Sequence, residues 1–111
     1  MKLIKGTLDV LVLKTLSWGT MHGYAISRSI REQTEEVLRI EEGALYPALR
    51  RMEQRGWVES YWGVTETGRE ARFYRMTDGG GQRLRSELSD WRRYVDAMSR
   101  VLNATQPVRW T

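Results

Sequence analysis

The run Gly43-Ala44-Leu45-Tyr46-Pro47-Ala48-Leu49-Arg50-Arg51-Met52-Glu53-Gln54-Arg55-Gly56-Trp57 has helical spacing but carries a proline near its front. Proline has no amide hydrogen, so a helix tolerates it in the first turn, where amides lack helical partners anyway. Pro47 therefore predicts a helix that begins at Glu42 or Gly43, and Gly56 stops it. At about 100° per residue, Leu45, Ala48, Leu49 and Met52 gather on one arc, the face for a core. Gly43, Tyr46, Pro47, Arg50 and Gln54 gather on the opposite arc, with Arg51 at its edge.

The flanking sequence supplies the rest of a small domain. Thr7 to Trp18 is apolar almost all round, which predicts a helix buried on more than one side, with Thr7 as its N-cap and Gly19 as its end. His22-Gly23-Tyr24 opens a second helix that runs to about Gln33. Val37 to Ile40 reads as a brief strand. Trp57 to Trp62 and Ala71 to Met76 are rich in strand formers, and the polar link Gly63 to Arg69 makes them a β-hairpin. From Thr77 or Asp78 a long helix follows. Its Leu84, Leu88, Trp91, Val95, Met98 and Leu102 recur every four and three residues, the seam of a helix that packs on another helix. Three helices and a hairpin make a mostly α chain with a winged helix-turn-helix over residues 1–77. The long helix covers 78–104, and 105–111 reads as a loose tail.

The 111 residues fit one such unit. There is no cysteine, which excludes disulfides and thiolate metal sites and allows a reducing, cytoplasmic setting. The single histidine cannot build a metal site without several carboxylates, and His22 reads as structural. No apolar run reaches membrane-spanning length, and no signal-peptide pattern opens the chain. No nucleophile–base pair or cofactor loop stands out, so neither an enzyme nor a bound cofactor is expected. The formal net charge is +4, from 18 Lys+Arg against 14 Asp+Glu. Most of those cations are arginines, the better forks for phosphate and base edges.

In helix-turn-helix proteins the N-terminal part of the recognition helix meets base edges. Here that part offers Gly43, where the backbone can come close, Tyr46, Pro47 and Arg50, with Arg51 and Gln54 behind them. In the hairpin, Arg69 lies near the tip, and Arg69 and Arg72 are the candidates for backbone or minor-groove contacts. Double-stranded DNA is the expected partner. A solvated helix face and an ordinary hairpin would use the same residue types, and a winged helix serving protein contacts is the rival reading.

The chain also resembles the PadR family of bacterial transcriptional regulators. The matching residues are Gly6-Thr7-Leu8-Asp9, His22-Gly23-Tyr24, Glu42 to Leu49, Arg51-Met52-Glu53, Gly56-Trp57 and Arg72 to Thr77. The single C-terminal helix is similar to that of the compact subfamily. The resemblance implies a homodimeric DNA-binding protein, usually a repressor. It implies a dimer interface built from the last helix and the first, here Leu8, Leu11, Leu84, Leu88, Trp91, Val95, Met98 and Leu102. It further implies a small aromatic effector near that interface, for which Leu88, Trp91, Val95 and Met98 are the candidates, although Trp91 also fits a plain dimer core. One departure stands out. Family members commonly have a proline and a single glycine after the threonine that starts the last helix, and here Asp78-Gly79-Gly80-Gly81 stands instead. Glycine costs about 1 kcal/mol per helical position relative to alanine, so this turn is expected to be frayed or hinged.

Overall fold

Val12, Leu13 and Leu16 leave almost no surface exposed, because the helix that carries them is surrounded. That helix, α1 (Leu8–Leu16), packs against α2 (Gly23–Gln33), α3 (Glu42–Gln54), the strand β3 (Glu70–Met76) and the long helix α4 (Asp78–Leu102). Its apolar circumference is thus used on every side. Ile26 and Ile30 of α2 and Leu45, Ala48, Leu49 and Met52 of α3 complete one core, closed by Val58, Tyr74 and Leu84. The computed structural model describes residues 1–109. Residues 105–109 form no helix or strand, and the last two residues of the expected tail lie outside the described residues.

The hairpin pairs β2 (Val58–Val64) with β3 from Val58↔Met76 to Val64↔Glu70, so both strands run farther toward the tip than the sequence suggests. A third strand, β1 (Met21–His22), joins the other edge of β3 through Met21↔Tyr74 and His22↔Phe73, giving the order β1-β3-β2. Two residues show no alternation, which hides β1 in the sequence. His22 then caps α2, its Nδ1 accepting the Ala25 amide at 3.2 Å. The expected strand at Val37 to Ile40 is a loop instead. The Thr34 hydroxyl takes the Leu38 amide at 3.0 Å, and Glu35 and Glu36 turn the chain at φ of 50° and 70°. Thr7 does not cap α1 with its side chain; its hydroxyl donates back to the Ile4 carbonyl at 2.6 Å. Trp18, just past the end of α1, is exposed, with the Lys14 ammonium over its ring.

The glycine run after Thr77 is neither frayed nor hinged. Asp78 begins α4, and the Thr77 hydroxyl accepts the Gly80 amide at 3.0 Å. The Thr77 amide donates to the Trp57 carbonyl at 3.0 Å, and the Thr77 hydroxyl donates to the Gly56 carbonyl at 2.5 Å. A methyl group on Gly80 would come within 2.0 Å of the Trp57 carbonyl oxygen, so only glycine fits there. At this joint α4 leaves the base of the wing. Its first turns lie on α1, which makes Leu84 part of the protomer's own core rather than of a free seam. From Ser89 onward every residue of α4 is exposed, and the molecule measures 66 × 29 × 22 Å.

Two neighbouring glycines should therefore respond in opposite directions. Gly81→Ala has ordinary room, its nearest neighbour being the Met76 side chain at 3.7 Å. It should raise stability by up to about 1 kcal/mol through helix propensity. Gly80→Ala should lower stability by about 2 kcal/mol or more, because backbone must shift. Urea or thermal unfolding of the two variants measures both, and equal effects would contradict the close approach.

Candidate nucleic-acid interface

The outward arc of α3 forms as its sequence dictates, with Leu45, Ala48, Leu49 and Met52 turned to the core and Gly43, Tyr46, Pro47, Arg50 and Gln54 outside. Because α3 starts at Glu42, Pro47 stands in its second turn rather than its first. Its missing amide leaves the Gly43 carbonyl without its helical donor, on an exposed part of the face. The helix tolerates this because Gly43 is open, with nothing within 4 Å of where a side chain would begin. Tyr46 is not a free arm. Its ring lies flat on the first residue of α2, so close that a methyl on Gly23 would stand 2.7 Å from Cε1 and 2.8 Å from the hydroxyl. Gly23 thus fixes Tyr46 from below.

The arginines divide into two groups. Arg51 turns away from the outward arc and pairs with Asp9 of α1, whose side chain is only 18% exposed. It ties α3 to α1, because its position at the edge of the arc lies within reach of that carboxylate. Arg72 is also engaged within the protein. Its Nε donates to Ser60 Oγ at 2.9 Å, and its fork stands 3.8 Å from Glu53. Ser60 in turn donates to Glu53 at 2.6 Å. Glu53 belongs to α3, so this bridge clamps the wing to α3. Arg75 pairs with Glu59 on the opposite side of the sheet at 2.7 Å. Arg50 on α3 and Arg69 at the wing tip make no ion pair among the described residues. The tip itself is ordered. The Thr65 amide reaches the Arg69 carbonyl at 2.8 Å, and Gly68 takes the φ of +83° that the turn needs.

The two sides of the wing differ. On the outer side Tyr61 stacks on Phe73 at 5.7 Å, and His22 meets the Phe73 edge at 5.4 Å. On the side facing α3, Val58 and Tyr74 are buried, and Ser60, Trp62, Val64 and Arg72 follow toward the tip. Burial raises the Tyr74 phenol above its usual range, opposed by Arg72, with Glu53 and Tyr46 adding to the rise and Arg50 opposing it. Glu53, Ser60, Gly23 and Trp62 escaped the sequence reading. Counting by twos from the buried Val58 would have placed Ser60 and Trp62 beside α3.

The remaining candidates lie on α4. Leu88 packs partly on the core, whereas Trp91, Val95, Met98 and Leu102 form an open stripe. The Trp91 and Tyr94 rings are 6.2 Å apart and tilted by 37°. Leu8 and Leu11 are half-buried against the core. Among the described residues no group of three or more His, Asp or Glu side chains could hold a metal ion, and no helix is long and apolar enough to cross a membrane.

The family model of the transcriptional regulator PadR-like family matches residues 12–86. A transcriptional regulator from Clostridium thermocellum superposes with a TM-score of 0.79 at 32% identity, over 86% of this chain and 90% of that one. A PadR family transcription regulator from Clostridium difficile R20291 gives 0.76 at 29% identity, over 87% and 99%. The negative transcriptional regulator PadR of Bacillus subtilis is 27% identical over 84 residues, which span 76% of this chain but only 44% of that protein.

Adjacent arginines should therefore behave differently in the folded protein. Arg51→Ala should cost about 1 kcal/mol, and much less when Asp9 is already alanine. Arg50→Ala should stay within about 0.5 kcal/mol of the parent. Urea unfolding of the Asp9/Arg51 double-mutant cycle measures the coupling, and additive single effects would remove Arg51 from its structural role.

Proposed function

Because the chain belongs to the PadR-like family of transcriptional regulators, we propose that it is a homodimeric repressor that binds a pseudo-palindromic operator. The observation that carries this reading is the division of the arginines. Arg51, Arg72 and Arg75 each hold a carboxylate, while Arg50 on α3 and Arg69 on the wing tip are exposed and make no ion pair among the described residues. Two uncommitted forks on neighbouring elements suit a polyanion that spans both. In this reading α3 enters the major groove, where Arg50 reaches phosphate or a guanine edge and the Tyr46 hydroxyl reaches phosphate. Gly43 and Pro47 bring backbone to the groove, and Gln54 lies at the far end of the same face. Arg69 follows the adjacent backbone or minor groove. Arg72 acts by bracing the wing.

The second copy covers the exposed α4 stripe of Trp91, Val95, Met98 and Leu102, with Leu88, Leu8 and Leu11 flanking it. Two-fold symmetry then sets two half-sites about one helical turn, or a multiple of it, apart. Repression rather than activation follows the Bacillus subtilis relative, a negative transcriptional regulator. A flat aromatic effector between the two α4 helices, against Trp91 and Met98, relieves repression only if it prefers the DNA-incompetent dimer. Moving the population from 1:99 to 99:1 takes a preference of about 10⁴.

Selection from a random-sequence duplex pool tests the reading. It should enrich an inverted repeat, and a pool that stays random would favour a winged helix that serves protein contacts. On the selected duplex, Arg50→Ala should lose about tenfold in affinity together with base preference at one position of each half-site. Arg69→Ala should weaken all sequences alike and reduce the salt slope by about one. Val95→Asp should yield monomers in sedimentation, and an unchanged dimer would move the interface elsewhere.

A further inference from the structure

Trp62 has the most exposed aromatic side chain among the described residues, at 69%, although it stands in the middle of a paired strand opposite Arg72. Strand alternation puts it on the side of the wing that faces α3, two residues beyond Ser60. Ser60 marks where wing and helix are still joined, through its hydrogen bond to Glu53. Trp62 lies about 6–7 Å farther along the strand than Ser60 and stays exposed. Val64 continues the same exposed edge. The indole is also held in place. The Arg72 guanidinium lies 5.5 Å from its ring centroid, and Arg72 is itself fixed by Ser60 and Glu53. An exposed, rigidly held ring loses little freedom when something covers it.

We infer that Trp62 is a DNA-contacting residue of the wing, its flat face packing on the deoxyribose backbone of the strand that passes between α3 and the wing. This rests on the DNA-binding reading above. Charge complementarity selects the occupant: Arg50 on α3 and Arg69 at the wing tip make no ion pair among the described residues, and a polyanion that bridges the two elements passes the α3-facing side of the wing, on which Trp62 stands. The ring supplies an apolar contact with no net charge, so its contribution is independent of counterion release. Arg72 supplies the support and not the phosphate contact, since Glu53 holds its charge.

The test measures binding of full-length protein to the selected inverted-repeat duplex by fluorescence anisotropy across a salt series. Trp62→Ala should weaken binding about tenfold, the order of one lost aromatic contact to nucleic acid, with an unchanged salt slope. Melting temperature and sedimentation of the free protein should match the parent. Trp62→Phe should retain affinity within about threefold. The loss caused by Trp62→Ala should persist when Arg72 is already Gln. Four results would overturn the inference: parental affinity in Trp62→Ala, a Trp62→Phe as weak as Trp62→Ala, no further loss in the Arg72→Gln background, or a changed oligomeric state without DNA, which would make a second copy the occupant. A parent protein that binds no duplex at all would reject the DNA-binding reading itself and this inference with it.

Discussion

One backbone oxygen organises the molecule. The Trp57 carbonyl, at the foot of the wing, accepts the Thr77 amide and lies so close to Gly80 that no side chain fits between them. This contact brings the end of β3, the start of β2 and the first turn of α4 to one point. Trp57's ring, held between the Arg55 and Arg83 guanidinium groups at 5.2 and 4.9 Å, covers the joint. A helix launched from a fixed point in a fixed direction lays its first turns on α1 and carries the rest out of the body. The glycine run is therefore a requirement of close packing, whereas its propensity alone argues for flexibility.

The same economy governs charge. A net charge of +4 says little by itself, because several arginines of α3 and the wing answer to carboxylates within the protein. Arg51 holds α3 to α1, and the Glu53–Ser60–Arg72 bridge holds the wing to α3. These links set the relative position of the two elements that the proposed function sends to DNA. Rigid placement matters because base recognition depends on geometry at the ångström scale. Arg50 on α3 and Arg69 at the wing tip make no ion pair among the described residues, and each belongs to a braced element.

Much of this was legible in the sequence. The arc of Leu45, Ala48, Leu49 and Met52, the hairpin and the length of α4 all follow from period and punctuation. What escaped shares one physical character: it depends on what another element brings close. A two-residue strand has no pattern of its own, so β1 appears only beside β3. Arg51 and Arg50 look alike in a helical projection until α1 supplies Asp9. Arg72 looks like a free wing cation until α3 supplies Glu53. Leu84 reads as seam until α1 covers it, and Gly80 as a weakness until the Trp57 carbonyl arrives.

Hydroxyl-radical footprinting of aromatic and methionine side chains, with and without the selected duplex, tests the central claim most directly. On this account Tyr46 becomes protected when DNA binds. Trp91 and Met98 are protected in both states, because a second copy covers them. A bound complex in which Tyr46 is oxidised at its free rate would show that DNA lies elsewhere on the molecule and would contradict the account.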